Sequence, residues 1–380
     1  MTTSAAHDRR FMSLALALGR RGLGNTWPNP AVGAVVVRFD GDPVIVGRGW
    51  TQPGGRPHAE TEALHRAGEA ARGATLYVTL EPCAQYGKTP PCAEAIIAAG
   101  IVRVVSAVED PNAVAAGGHT MLRAHGIAVD VGTGADEARR DLAGHLRRVR
   151  DRRPRVFLKL AVSADGKAGL AGRRPAAITG EAARARVHLM RAMHDAVLTG
   201  IGTVLADDPQ LTCRLPGMAA RSPVRVVLDT DLRLPVTSAL VRSARETPVW
   251  AMSGPDAPAE AAAALAAHGV EVLRIPAFLP PPYAGEAGAG RLDLSAVLRL
   301  LADRGITRLM VEAGPIVSAA FLAADLVDEA ALLRGPDAIG GDGIDALEGM
   351  PLTVLTASPR LRPRGVETAG ADTIATFERA

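Results

Sequence analysis

The sequence predicts an α/β protein built as two different domains, and three observations carry that expectation. The first is length: 380 residues exceed what one domain usually holds. The second is an alternation of strand-like and helix-like segments in both halves, which implies helices layered on sheets. The third is the basic, proline-containing stretch DRRPR between them, with no repeat relating one half to the other. An apolar content of 48% supports sizeable cores. A formal charge of +3 and an aromatic content of 3% argue against a nucleic-acid surface. The arginine clusters still suit a phosphorylated small molecule.

The first segment, FMSLALAL, is flanked by Arg9-Arg10 and Arg20-Arg21 and lacks the small-residue cleavage site of a signal peptide. Phe11, Leu14, Ala15 and Leu18 recur at helical spacing, so an amphipathic helix is expected. AVGAVVV and PVIVGRGW then read as a strand pair joined by the turn DGDP. HAETEALHRAGEAA reads as a helix, ATLYVTLEP as a strand, TPPCAEAIIAAG as a helix and RVVSAVED as a strand. A helix near 118–125 and the short strand AVDVG close this half. In the second half VFLKLAVSADGK opens with a strand, and a helix from about Glu181 to Met193 leads into AVLTGIGTVLADD. VRVVLD, TPVWAMS, VEVLRIP and RLMVEAG are further strands, and AFLPPPYAGEAGAG is an exposed irregular loop. No apolar run approaches the ~20 residues of a membrane span. Three cysteines without regular spacing are no disulfide framework, so a reducing, cytoplasmic setting is expected.

Two of those cysteines lie in TLEPCAQYGKTPPC, downstream of RPHAETEA. Catalytic zinc takes three protein ligands and keeps a fourth position for water. His58, Cys83 and Cys92 supply one nitrogen and two thiolates. Pro57 marks a helix start at His58, and Thr89-Pro90 reads as an N-cap and first turn before Cys92, where a helix N-terminus stabilises a thiolate. Glu60, two residues beyond His58, points to another helix face and is placed to carry protons instead of co-ligating. H-x-E followed by P-C…C is the pattern of zinc nucleobase deaminases. The usual second spacing is C-x-x-C, whereas eight residues intervene here. An incidental loop pair, or a structural zinc site with His65 as fourth ligand, is the competing arrangement.

PNPAVGAVVV, PHAE, TLEPC…GKTPPC and VEDPN, followed by KLAVSADGK, ITG, LTGIGTVLADDPQLTCR and VEAGP, resemble, in this order, the bifunctional deaminase–reductase family of riboflavin biosynthesis. The resemblance spans nearly the whole chain. It implies a cytidine-deaminase-like α/β/α domain over residues 1–149, a linker over 150–155 and a dihydrofolate-reductase-like α/β domain over 156–380. It implies zinc on His58, Cys83 and Cys92, Glu60 as proton donor, and substrate contacts from Asn29 and Lys88. Asn29 also has a plain reading, since Asn-Pro forms turns. Many relatives carry histidine at the position of Gln85 and some at that of Thr51, which touches substrate contacts and leaves the zinc set intact.

The second half is weaker when read alone. Gly200 and Gly202 can mark a tight turn, and no G-x-G-x-x-G fingerprint occurs. VEAGP before an apolar helix nevertheless offers free N–H groups to phosphate. The resemblance implies NADPH, contacted by Ala161, Ala177, Thr203, Asp207, Thr230 and the segment Gly314, Pro315, Ile316, Val317, Ser318, Ala319 and Ala320. It implies substrate contacts from Arg191, Leu211, Arg214 and Glu312. Arg191 alone would read as a solvated helix face, and Cys213 as a packed thiol. Lys159 and Asp165 fit the family, but strand and turn chemistry explains them nearly as well. Relatives often carry tryptophan where Ala177 stands and serine at Pro175, so a stacking surface for the cofactor is missing. The implied activity is zinc-dependent deamination of a diaminopyrimidinone ribosyl phosphate, then NADPH reduction to the ribitylaminouracil phosphate. A deaminase whose second domain only binds nucleotide is the alternative. The implied partner is that small molecule, with no nucleic acid and no membrane, and a homo-oligomer is compatible.

Overall fold

The computed structural model describes residues 5–87, 90–174, 176–276 and 292–380. The loop expected at 277–290 therefore lies outside the described residues, as do Lys88, Thr89 and Pro175. The chain divides into two compact units, Met1–Arg153 and Pro154–Ala380.

The first unit opens with α1 (Ala5–Gly19), whose buried face is Phe11, Met12, Ala15, Leu16 and Gly19. Leu14, expected on that face, is 40% exposed. A run that is apolar nearly all round fits more than one helical phase, and packing selected the stripe through Met12 and Leu16. The strand pair β1 (Gly33–Arg38) and β2 (Val44–Trp50) is antiparallel, with a bulge between Val36 and Val37. Next come α2 (Ala59–Ala67), β3 (Thr75–Val78), α3 (Cys92–Ala98), β4 (Arg103–Ser106), α4 (Gly118–Ala124) and β5 (Ala128–Val131). The sheet order is β2-β1-β3-β4-β5; β1 pairs antiparallel with β3, and β3, β4 and β5 run parallel. Helix α2 lies very close to β2, because a Cβ on Gly49 would stand 2.3 Å from the Ala59 carbonyl. Two helices that the sequence did not signal follow, α5 (Ala135–Asp141) and α6 (Ala143–Asp151). Segment AGHLRRVRD buries only Gly144, His145 and Leu146, so its apolar stripe is too thin to read.

The second unit begins with β6 (Arg155–Val162) and β7 (Lys167–Gly169), then α7 (Glu181–Ala192), β8 (Ala196–Gly200), α8 (Ile201–Asp207), β9 (Val224–Leu228) and α9 (Ala239–Arg242). It continues through β10 (Val249–Ser253), α10 (Ala259–Ala267), β11 (Val270–Arg274), α11 (Leu294–Asp303), β12 (Arg308–Val311) and α12 (Pro315–Ala323). It ends with β13 (Glu329–Arg334), β14 (Ile344–Asp345), α13 (Thr353–Thr356), β15 (Leu361–Ala369) and β16 (Asp372–Arg379). Nine strands form one sheet in the order β11-β10-β9-β8-β12-β6-β13-β16-β15. It is parallel from β11 to β13 and antiparallel at β16 and β15. Strand β15 is exposed along most of its length and shows none of the alternation that would have announced it. In a parallel sheet the strand C-termini form one edge, where ligands bind. Glu312, Gly200 and Leu228 stand at that edge on adjacent strands.

Candidate metal centre and cofactor cavity

His58 occupies the N-cap of α2 and Cys92 is the first residue of α3, so two helix starts converge on one point. The N-cap of α3 is Pro91, not Thr89, because the helix begins two residues later than expected. Cys83 comes from the loop after β3. That loop is fixed by Glu81, whose buried carboxylate accepts from the backbone N–H groups of Asp110 (3.2 Å), Gly117 (3.1 Å) and His119 (3.0 Å). Sequence reasoning did not single out Glu81; its place between the strand and Pro82 was the available signal.

The ligand atoms of His58, Cys83 and Cys92 all lie within 4.8 Å of one another. His58 Nδ1 is 3.3 Å from Cys92 Sγ and 3.7 Å from Cys83 Sγ. Ligand atoms around a tetrahedral zinc stand roughly 3.3–3.8 Å apart at ordinary Zn–N and Zn–S lengths, so the set fits zinc. His65, the competing fourth ligand, is exposed on α2 and outside the cluster. The Cys92 thiol and the His58 ring hold the Cys83 thiol down at about 4, against burial. Its hydrogen bond to Cys83 and its own burial push Cys92 well above the usual thiol range. Glu60 is buried, 4% exposed, and that burial pushes its carboxyl up. Asn29 Nδ2 donates to the Gly55 carbonyl at 2.8 Å and lies 3.3 Å from His58 Nε2. Gln85 is exposed, while Thr51 is buried with its hydroxyl accepting from Val32 N at 3.0 Å.

In the second unit a cavity of about 820 Å³ opens at the strand C-termini. Ala161, Ala177, Arg191, Thr203, Asp207, Leu211, Arg214, Thr230, Glu312, Gly314, Pro315, Ile316, Val317 and Ala320 all line it. Ser318 and Ala319 do not: both are buried, and the Ser318 hydroxyl donates to the Ala313 carbonyl. At one end Glu312 accepts a two-pronged pair from Arg191, Nε at 2.8 Å and Nη2 at 2.9 Å, and a bond from Lys159 Nζ at 3.3 Å. The register explains this, since Val311 on β12 stands opposite Leu158 on β6 and the next residues are Glu312 and Lys159. Burial would raise the Glu312 carboxyl, but the Lys159 and Arg191 charges outweigh it and hold the group at about 2. Arg191 also donates to the Thr212 carbonyl at 3.0 Å, so its guanidinium is largely engaged. Asp165 belongs to a turn, accepting from Ser163 Oγ and from the N–H groups of Ile339 and Gly340. Lys159 and Asp165 thus separate into a cavity residue and a turn residue.

The cavity fits a dinucleotide in size and chemistry. Gly314 caps α12 without a side chain, leaving first-turn N–H groups for phosphate, and its own N–H donates to Thr203 Oγ1 at 3.1 Å. His188 and Arg233, which sequence reasoning missed, also line the cavity.

Residues 5–108 match the family model described as the cytidine and deoxycytidylate deaminase zinc-binding region. Residues 154–375 match the model described as the RibD C-terminal domain. The chain is 38% identical to the riboflavin biosynthesis protein RibD of Aquifex aeolicus, covering 98% of each. It is 39% identical to that of Escherichia coli strain K12, covering 96% of this chain and 97% of that protein. Among solved structures, Acinetobacter baumannii RibD aligns over 100% of both chains, with a TM-score of 0.85 and 36% identity. A diaminohydroxyphosphoribosylaminopyrimidine deaminase/reductase of Thermotoga maritima aligns over 99% of both, with a TM-score of 0.83 and 34% identity.

Proposed function

The chain belongs to the RibD family, and on that premise we propose which of its residues carry the two reactions. It is a bifunctional riboflavin-biosynthesis enzyme, a zinc-dependent deaminase joined to an NADPH-dependent reductase. A second unit that binds nucleotide without reducing is not favoured.

In the first unit we assign His58, Cys83 and Cys92 as the metal ligands. Zinc held there supplies an acidified water as nucleophile at neutral pH. Glu60 takes a proton from that nucleophile at its carboxylate and returns it to the leaving amino nitrogen; burial, which raises its proton affinity, suits the exchange. The observation that carries this reading is the approach of three ligand atoms within 4.8 Å of one another, two of them on helix starts. Asn29 offers its amide oxygen to the pyrimidine edge while its Nδ2 is anchored on Gly55. Lys88 is assigned to the substrate by the family pattern alone.

In the second unit NADPH supplies hydride to the open form of the ribosyl group. The start of α12, with Thr203, receives the pyrophosphate, and Ala161, Ala177 and Asp207 flank the cofactor. Arg214, exposed and with its guanidinium bonded among the described residues only to Gln210 at 3.4 Å, takes the substrate phosphate through its planar fork. Glu312, held ionised, accepts from ribose hydroxyls, Arg191 positions that carboxylate, and Leu211 packs beside it. We place the enzyme in the cytoplasm, where thiolate ligands stay reduced.

Mass spectrometry of the products from the diaminopyrimidinone ribosyl phosphate, with zinc-loaded protein and NADPH, tests the assignment. The ribitylaminouracil phosphate is expected. Accumulation of the deaminated, unreduced compound would contradict the role given to the second cavity.

A further inference from the structure

We infer that Arg233 receives the 2′-phosphate of the nicotinamide cofactor, and so sets the preference for NADPH over NADH. The inference rests on the cofactor reading of the second cavity. Five arginines line that cavity. Arg174 donates to the Ala171 carbonyl, Arg184 to the Thr179 carbonyl, Arg191 to Glu312 and Arg214 to Gln210. Arg233, exposed, has no side-chain hydrogen bond or ion pair among the described residues. It is a planar, permanently charged fork on a cavity wall, near the Asp229 charge but with no bonded partner among the described residues, and a phosphate monoester satisfies that chemistry.

The turn that carries it is held firmly. The buried Asp229 carboxylate accepts from the backbone N–H groups of Arg233 and Leu234, the latter at 2.7 Å. Leu232 N donates to the Asp229 carbonyl at 3.1 Å, and Leu232 itself takes a left-handed φ of 54° with its side chain buried. Gly254 N donates to the Thr230 carbonyl at 2.9 Å, tying the same turn to the end of β10. Thr230 lines the cavity beside it. The neighbouring Arg274 is fully engaged with the carbonyls of Gly254, Pro255 and Ala257 and offers no competing fork.

Position agrees with chemistry. In the sheet β9 lies two strands from β12, with β8 between them. At ordinary strand spacing the C-terminal ends of β9 and β12, from which the Arg233 turn and the start of α12 continue, stand about 10 Å apart. In a dinucleotide phosphate the monoester sits one sugar beyond the pyrophosphate, a comparable span. The lining carboxylates are Asp207 and Glu312, neither in this turn, and the buried Asp229 of the turn is already engaged by backbone N–H groups.

The test is equilibrium titration of the full zinc-loaded chain with NADPH, NADH and adenosine 2′,5′-bisphosphate, for the wild type, Arg233→Met and Arg233→Glu. Loss of a charge-assisted pair should weaken NADPH by roughly tenfold to hundredfold, more for Glu than for Met. NADH affinity should stay within about twofold, and the bisphosphate should displace NADPH only from the wild type. Equal weakening of NADPH and NADH, or no change in either, would overturn the inference. So would a loss confined to the phosphorylated substrate, which would make Arg233 part of the substrate's phosphate site. A wild type that binds neither nucleotide would instead remove the cofactor reading itself, and this inference with it.

Discussion

The two sites are built on opposite plans. In the first unit three ligand-type side chains, His58, Cys83 and Cys92, converge within 4.8 Å from two helix starts and one loop, with the buried Glu60 in the first turn of α2. In the second a cavity of about 820 Å³ is lined by backbone, small apolar residues and a compensated charge cluster on many elements. A metal centre concentrates its requirements on a few irreplaceable atoms. A dinucleotide site distributes them, so that single residues position more than they react.

That contrast predicts graded consequences. The largest belongs to the thiolates: Cys83→Ser should reduce zinc from one per chain to near none, by metal analysis, and end deamination. Reduction of supplied aminouracil ribosyl phosphate should continue. Coupled loss of both activities would break the separation. Next is Glu312→Gln, which leaves Arg191 and Lys159 facing each other without their buried counter-charge. Breaking such a cluster costs about 3–5 kcal/mol, so denaturant unfolding should show the second unit destabilised while deamination is kept.

A smaller effect is expected at Gly49→Ala. The new Cβ would meet the Ala59 carbonyl at 2.3 Å and push α2, with His58 and Glu60, off the sheet. A cost of about 1–3 kcal/mol with weakened zinc binding is expected; unaltered metal affinity would mean that helix placement is not what sets the site. The smallest concerns acid stability of the second unit. Burial, reinforced by the Arg308 and Arg155 charges, pushes His194 down to about 3. Below about pH 6.5 the unfolded chain takes up a proton that the folded chain refuses. This contribution is therefore complete above pH 6.5 and is lost progressively as pH falls toward 3. His194→Gln should flatten the fall in unfolding free energy between pH 7 and 5 by about 2 kcal/mol, read from denaturant titrations at both pH values.

The same contrast decides what could be read from the chain alone. The cluster of His58, Cys83 and Cys92 could be anticipated because metal-ligand residue types are few and their spacing is fixed by local structure, and Glu60 followed from its place in H-x-E. Glu81 was not, since its work is to hold backbone N–H groups brought together by tertiary folding. In the second unit Thr203 and Gly314 came from the family resemblance, and the fold brings them together through a direct hydrogen bond. Ser318 and Ala319 were carried along with their neighbours although helix periodicity turns them into the core. Lys159 and Asp165 looked equivalent in sequence and were divided only by strand register. The helices of DEARRD and HLRRVRD, and the exposed strand β15, lack apolar periodicity and became visible only through packing.

The claim that the chain holds two independent reaction centres is tested most directly by Glu60→Gln, assayed separately on the diaminopyrimidinone and on its deaminated product. Removal of a general acid–base group should lower deamination by roughly 10²–10⁴-fold, while zinc content and NADPH-dependent reduction of the deaminated compound stay at wild-type values. Deamination that survives the substitution, or reduction that falls with it, would contradict the account.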